Sequence, residues 1–434
     1  MCSIAGSRSN EEVWRMLDVM KHRAPDDSGV ISDGKYSIGM GRLKVLDLDS
    51  SNLCPISDGN LVLTYNGEIY NYLELREELK QLGHEFHTES DSEVLLKAYK
   101  EWGPHCLSKF NGMFSFAVYD GSSIFLARDI AGEKPLYYRK GKDFAFASEA
   151  KVLGKCIEFP PAHYGVYDFH HLELHRWWFP PTEERDVDMA TAIRELDVLL
   201  ESAVQMRTRA HVPYGLYFSG GIDSTLISTY HPFTHKYTYK EKDYKEEFNK
   251  VFPKVLWHLD YPTTHFSPFG YWKLAEEASK EVKVVLSGEG ADELFGGYVR
   301  YVPNEFNRKA QEAFPSYKGM FPYTNMMWDE FNGNLRTLLR IGDRMASAWG
   351  IENRCPFLDR RVIEFALALP MKYKIDGFNT KIILKELLKK RLPSYEIKEK
   401  EGFYVKVNDW IGSKDGFGKN DYMKLQKSLC KKSS

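Results

Sequence analysis

Hydrophobic positions divide the chain into two regimes. Up to about residue 180 they fall in short β-type runs, Leu61–Tyr65, Met113–Tyr119 and Ser123–Ala127, the last two joined by the turn Asp120-Gly121-Ser122. Two helical stretches interrupt them, Leu73–Leu82 and Ser92–Trp102, with Ser90 or Asp91 placed to cap the second. This pattern predicts packed sheets under helical cover, an α+β layer structure. Pro180-Pro181-Thr182-Glu183-Glu184-Arg185-Asp186 then reads as a linker. Beyond it helices dominate, beginning with the amphipathic stretch Thr191–Arg207, and the few strands are short and apolar, as in a buried parallel sheet. Tyr214–Phe218 and Val282–Leu286 each run into a glycine-rich acidic turn, which predicts a βαβ sheet. The expected domains are 1–180 and 187–411, followed by a Lys-, Gly- and Ser-rich tail over 412–434 that is expected to be poorly ordered.

Composition narrows the function classes. Apolar residues make up 43% of the 434 positions and the formal charge is −2, so the chain lacks an electrostatic footprint for nucleic acid or an acidic membrane. Its partners are expected to be small molecules or other subunits. No apolar run approaches the ~18 residues a bilayer span needs, and the first residues lack signal-peptide flanks, so a cytoplasmic location is expected. The six cysteines are dispersed, with no C-x-x-C pair and no histidine at zinc-ligand spacing, and are expected to be reduced. His170, His171 and His175 are read as surface or core histidines.

Candidate chemistry begins at Cys2. A small second residue lets an aminopeptidase remove Met1, and the freed α-amine can then accept the thiol proton. An ordinary buried cysteine is the plainer alternative. Downstream, Leu61–Tyr65 leads to Asn66-Gly67, which can supply a side-chain amide and a backbone N–H to one oxyanion, or can simply be a hairpin turn. Arg42 can clamp a carboxylate and Asp91 can receive an ammonium, though either can equally be a surface charge or a helix cap. Together with His22-Arg23-Ala24-Pro25-Asp26, Ser90–Val94, Gly112–Ala117, Arg128-Asp129, Lys134–Tyr138 and Phe146–Glu149, these stretches resemble the glutaminase domain of class II glutamine amidotransferases. The resemblance implies an αββα N-terminal-nucleophile fold with Cys2 as nucleophile and Asn66 and Gly67 as oxyanion donors. It also implies Arg42 on the glutamine carboxylate, Leu46 at the same site, and Glu68 and Asp91 around the α-amine. Ala24 stands where the family usually has glycine and is expected to tighten a loop.

The second half carries Ser219-Gly220-Gly221-Ile222-Asp223-Ser224 between a strand and a helix, a phosphate-cradling arrangement or a plain glycine turn. No Walker lysine follows, which favours grip on a pyrophosphate leaving group. Ser287-Gly288-Glu289-Gly290-Ala291-Asp292-Glu293 crowds three carboxylates that call for a cation, with Mg²⁺ on ATP phosphates the leading candidate and Asp223 and Asp292 as its ligands. Lys381 can meet developing charge or be merely solvated. From Val212-Pro213 through Pro356–Asp359 to Lys381 the order of motifs is similar to the synthetase domain of the glutamine-hydrolysing asparagine synthetases, an α/β pyrophosphatase-loop fold. The resemblance implies Ser219, Gly220, Gly221, Asp223 and Ser224 on pyrophosphate, Phe218, Ser287 and Gly288 around adenosine, Glu289 near an acyl-adenylate, and Lys381 on the transition state. It also suggests a homodimer. The interval from Ser219 to Ser287 is shorter than in the family, and His235–Asp243 replaces a strand and its nucleotide-contacting end. The expected activity is ATP-dependent conversion of aspartate to asparagine with glutamine nitrogen, the fit around Glu352-Asn353-Arg354 favouring aspartate. The alternatives are another carboxylate acceptor, or a degenerate synthetase that keeps only glutaminase activity or partner binding.

Overall fold

The structure is a computed structural model and describes residues 1–50, 53–240, 244–261, 267–298, 301 and 322–397. The tail expected over 412–434 lies outside the described residues.

The first half is built from twelve strands: β1 (Ser3–Ser7), β2 (Asp27–Ser32), β3 (Ser37–Arg42), β4 (Ile56–Asp58), β5 (Leu61–Ile69), β6 (Gly112–Tyr119), β7 (Ile124–Arg128), β8 (Tyr137–Arg139), β9 (Ala145–Ala147), β10 (Ile157–Glu158), β11 (His163–Tyr167) and β12 (Leu172–Arg176). They form two antiparallel sheets, ordered β10-β8-β9-β1-β3-β2 and β12-β11-β7-β6-β5-β4. Ile4 and Ile38 of one sheet pack against Ala117, Ile124 and Leu126 of the other. The outer face of the first sheet is covered by helix Asn10–Val19, whose Val13, Met16 and Leu17 recur at helical spacing and whose start is capped by Ser9 accepting from Glu12 N–H at 3.2 Å. Helices Tyr72–Gln81 and Asp91–Trp102 cover the second sheet, within a residue of the expected bounds, and Ser90 caps the latter. The result is the expected αββα layering. The expected turn also forms, Asp120 Oδ1 accepting from Ser122 and Ser123 N–H, each at 2.7 Å.

Neither helix nor strand is assigned between Arg176 and Met189, where the linker was expected. Helix Met189–Arg207 opens the second half. Its sheet is wholly parallel, ordered β14 (His235–Tyr237), β13 (Tyr214–Tyr217), β15 (Val284–Leu286) and β16 (Glu352–Arg354). The central strands are buried on both faces, which is why they read as continuous apolar runs. The segment from His235, expected to have lost its strand, keeps three residues of one: β14 pairs with β13 as the edge of the sheet.

Candidate functional site

Cys2 sits at the entry to β1, half-buried, where its backbone N–H donates to Asn66 Oδ1 at 3.0 Å. That bond turns the other end of the amide outward from its acceptor role: Asn66 Nδ2 is buried and has no hydrogen-bond partner. The Asn-Gly pair is not a hairpin turn and does not end its strand. β5 continues through it to Ile69, with Asn66 opposite Ser115 and Gly67 opposite Phe114 of β6, because the ladder with β6 remains paired along that whole length. A Cβ at Gly67 would lie 2.1 Å from the Met113 carbonyl oxygen, so only glycine allows this approach. Burial pushes the Cys2 thiol up, against the pull of the Met1 ammonium and the Leu43 N–H, and pushes the Met1 ammonium down.

The other glutamine-site candidates divide. The Arg42 guanidinium donates to the carbonyls of Leu46 at 2.8 Å, Asp47 at 2.7 Å and Ser50 at 3.4 Å, and so shapes the loop beside the thiol. Leu46 enters through its backbone. Asp91 is buried at the first turn of its helix, its Oδ2 accepting from Tyr65 Oη at 2.8 Å and Ile69 N–H at 2.9 Å, and burial pushes its carboxyl up. Glu68 reaches across to the second half, with Oε1 3.1 Å from Arg354 Nη2.

That contact follows from strand alternation in β16. Glu352 and Arg354 turn toward the first half, where Glu352 meets the Met1 ammonium at 3.2 Å and Arg354 Nε at 2.8 Å. Against the cost of burial, these cations hold Glu352 down to about 2. Asn353, and Cys355 just past the strand, turn the other way, to Glu289. Of the triplet that favoured aspartate, only Asn353 therefore faces the second site. A further buried network has no signature in the order of residues: Arg23 bonds both oxygens of Asp343, at 2.9 and 3.1 Å, and Glu149 at 3.1 Å, joining groups up to 320 positions apart.

The second site lies at the carboxyl ends of β13 and β15. In the loop after β13, Ser219 Oγ and Ser224 Oγ are 3.1 Å apart, Gly221 N–H donates to Ser219 Oγ at 3.3 Å, and Gly220 takes φ +74°. A Cβ at Gly288 would lie 2.8 Å from Asp223 Cβ, so glycine lets the two strand-end loops touch. Lys381, buried and in the left-handed region at φ +52°, places Nζ 2.6 Å from both Asp223 oxygens and 2.6 Å from Asp292 Oδ1. Against the pull of burial, these carboxylates push its ammonium above the usual range. Two convergent hard-oxygen groups fit Mg²⁺ carried in with phosphate oxygens. Among the described residues no cluster of three metal-ligating side chains stands ready without them.

Beside this cation cluster, Glu289 Oε2 accepts from Asn353 Nδ2 at 3.2 Å and from Cys355 Sγ at 3.6 Å, and Tyr271 also bonds the carboxyl. Glu289 Oε1 is buried without a hydrogen-bond partner, and burial pushes the carboxyl up to about 7. Ser287 Oγ lies 3.6 Å from Cys355 Sγ, and Phe218, whose N–H donates to Tyr237 O at 2.8 Å, has the Lys236 ammonium 5.1 Å from its ring centroid. Tyr271 and Cys355 were not anticipated as site residues. Alternation from Asn353 would have found Cys355, while nothing in the sequence marks Tyr271.

Comparison with known proteins bears on both halves. A family model described as a glutamine amidotransferase domain matches residues 1–178, and one described as asparagine synthase matches 195–241 and 230–420. The second match breaks into two segments within the shortened interval. A probable glutamine-hydrolysing asparagine synthetase of Schizosaccharomyces pombe is 32% identical, with 85% of this chain and 74% of that protein covered. A putative glutamine-hydrolysing asparagine synthetase of Methanocaldococcus jannaschii is 32% identical over 67% of this chain and 73% of its own. Asparagine synthetase 1 of Bacillus subtilis is 26% identical over 94% and 86%; that alignment runs over 548 positions, more than this chain contains, so it spans segments absent here.

Proposed function

The chain belongs to the family of glutamine-hydrolysing asparagine synthetases, and on that premise we propose that it makes asparagine from aspartate, ATP and ammonia released from glutamine, through a β-aspartyl-AMP intermediate. Loss of Met1 turns the Cys2 nitrogen, already held by Asn66 Oδ1, into an α-amine beside the thiol. The amine takes the thiol proton, and sulfur attacks the glutamine amide carbon. Asn66 Nδ2 and the Gly67 N–H receive the oxyanion, the amine returns its proton to the departing nitrogen so that ammonia leaves, and water hydrolyses the thioester to glutamate and the free thiol.

In the second half the difficulty is the leaving group. Ammonia cannot displace oxide from a carboxylate, so the acid is first joined to AMP. The Ser219–Ser224 loop receives the pyrophosphate, Phe218, Ser287 and Gly288 surround the adenosine, and Lys381 meets charge developing at phosphorus. Asp223 and Asp292 are the residues that would hold Mg²⁺, which supplies neutralisation of the departing pyrophosphate. Glu289, with Asn353, faces the acyl group.

One observation carries the reading. A single strand, β16, presents Arg354 to Glu68 on the thiol side and Asn353 to Glu289 on the other, so the two chemistries stand back to back. The test is a pair of assays. Cys2→Ala is expected to lower glutamine-fed asparagine synthesis by about 10⁴-fold or more while sparing synthesis from added ammonia, and ATP–pyrophosphate exchange is expected to require aspartate. Loss of both nitrogen sources together refutes separate sites. Exchange with a different acid moves the acceptor, and no exchange with any acid leaves a glutaminase.

A further inference from the structure

Buried polar atoms without hydrogen-bond partners occur at both sites and among the residues where the two halves meet. They are Asn66 Nδ2 beside Cys2, Tyr70 Oη, Arg207 Nε and Nη2, Glu133 Oε2, and Glu289 Oε1 in the second site. Those in the middle touch one another, and Glu133 lies within electrostatic reach of Arg207, Tyr70 and Glu289. Arg354 pairs with Glu68, and the guanidinium carbons of Arg354 and Arg207 lie 5.6 and 4.2 Å from the Tyr70 ring centroid. Buried polar groups are normally paired, so several that are not, gathered where the two halves meet, mark room for a small hydrogen-bonding molecule.

Glu133 differs from the others in being able to take up a proton between the two centres. Asp129 Oδ1 holds its backbone N–H at 2.9 Å, which fixes the main chain, while the side chain is buried and uncommitted. The charged and titratable groups around it are Asp129, Lys134 and Tyr70 from the first half, and Arg207, Glu289 and Cys355 from the second. Burial, helped by Asp129 and Glu289 and opposed by Arg207 and Lys134, pushes its carboxyl up to about 8. A carboxylate of ordinary pKa near ~4 binds a proton too weakly to strip ammonium, whereas one raised this far is closely matched to the task.

We infer that Glu133 accepts a proton from ammonium, whether that ion is taken up from solution or formed when the released ammonia picks up a proton from water on its way, so that the nitrogen reaches the activated acid as ammonia. This rests on the function proposed above. One N–H bond breaks with its electron pair remaining on nitrogen, an O–H bond forms at Glu133 Oε2, and the proton passes to water once the ammonia has moved on. No other reactant is required.

The experiment compares the full-length wild type with Glu133→Gln and Glu133→Asp. It measures glutaminase activity alone, aspartate-dependent ATP–pyrophosphate exchange, asparagine formed per glutamate released, and the pH profile of synthesis from ammonium chloride. E133Q is expected to keep both half-reactions within about twofold while asparagine per glutamate falls about tenfold, and E133D is expected to recover most of that loss. The wild-type ammonium profile should carry a titration near pH 8 that E133Q lacks. Equal ratios and profiles in wild type and E133Q overturn the inference, and so does a fall in both half-reactions in step with the ratio, which marks a packing role. Failure of the parent reading is visible separately, as missing exchange in the wild type.

Discussion

The two sites solve the problem of buried charge in opposite ways. At the thiol, a group that would receive negative charge is left open: Asn66 Nδ2 has no hydrogen-bond partner, while an unbroken antiparallel ladder fixes the backbone of Gly67 next to it. At the ends of β13 and β15, the negative groups are neutralised by the chain itself, Lys381 lying between Asp223 and Asp292. The first site is preorganised, with little to rearrange when the oxyanion forms. The second is closed by its own ion pairs, so on the proposed function a nucleotide and its cation would compete with contacts already made. On the proposed function, chemistry at the first would be set by geometry, and at the second by exchange of ionic partners.

The largest break in this contrast comes from Lys381→Met. It removes both the resting counter-ion and the cation assigned to the transition state, so ATP–pyrophosphate exchange should fall by about 10²-fold or more. Glutamine hydrolysis, which depends on the open site, should stay within about twofold. An equal fall in both rates would show that the sites are not energetically separate.

Arg354→Met sharpens the same contrast at the boundary. Arg354 is fully buried, with Glu68 on one side and Glu352 on the other. Burial pushes Glu68 well above the usual carboxylate range against the pull of Arg354, with Asp91 and Glu352 adding to the push. Removing the shared cation leaves two buried carboxyl groups without it, and breaking such a pair costs about 3–5 kcal/mol. A lower urea midpoint at unchanged slope is the expected result. An unchanged midpoint would mean the junction is held by packing and by the Arg23 network.

The legibility of each site in the sequence tracks how local it is. Cys2, Asn66 and Gly67 could be singled out by residue type at the chain start and in one strand, with a buried cysteine and a hairpin turn as open alternatives, and the resemblance supplied their expected roles. The strand's true length was not readable from that apolar run, since the polar residues Asn66 and Glu68 are kept in register by β6, more than 40 positions away. Packed sheets under helical cover followed from alternation and caps, the αββα form was what the resemblance implied, and helices Tyr72–Gln81 and Asp91–Trp102 fell within a residue of expectation. In the second half the phosphate loop and acidic turn were legible as motifs. That Lys381 would clamp Asp223 and Asp292 was not, because it depends on a left-handed residue bringing a distant helix start onto both loops. Glu133 was invisible for a related reason: a glutamate in a turn reads as surface until packing across the two halves encloses it.

The smallest expected effect concerns Glu289, where enclosure without full satisfaction should register in stability. Its carboxyl is pushed from 4.5 up to about 7 by burial. Below about pH 4.5 it is protonated whether the chain is folded or unfolded, and no penalty arises. Between there and about 7 the unfolded chain ionises while the folded one keeps its proton, so the cost of folding grows with pH. Above about 7 the folded site carries an enclosed anion and the penalty is complete. Glu289→Gln, which keeps the shape and removes the ionisation, should therefore raise the first unfolding transition by roughly 2–4 °C at pH 8 and leave it unchanged at pH 4. Equal shifts at the two pH values would assign the effect to packing rather than to charge. A lower transition at pH 8 would mean that the carboxylate is stabilised there by the bonds from Asn353, Cys355 and Tyr271, placing Glu289 with the self-neutralised groups of its own site and not with the open ones of the other.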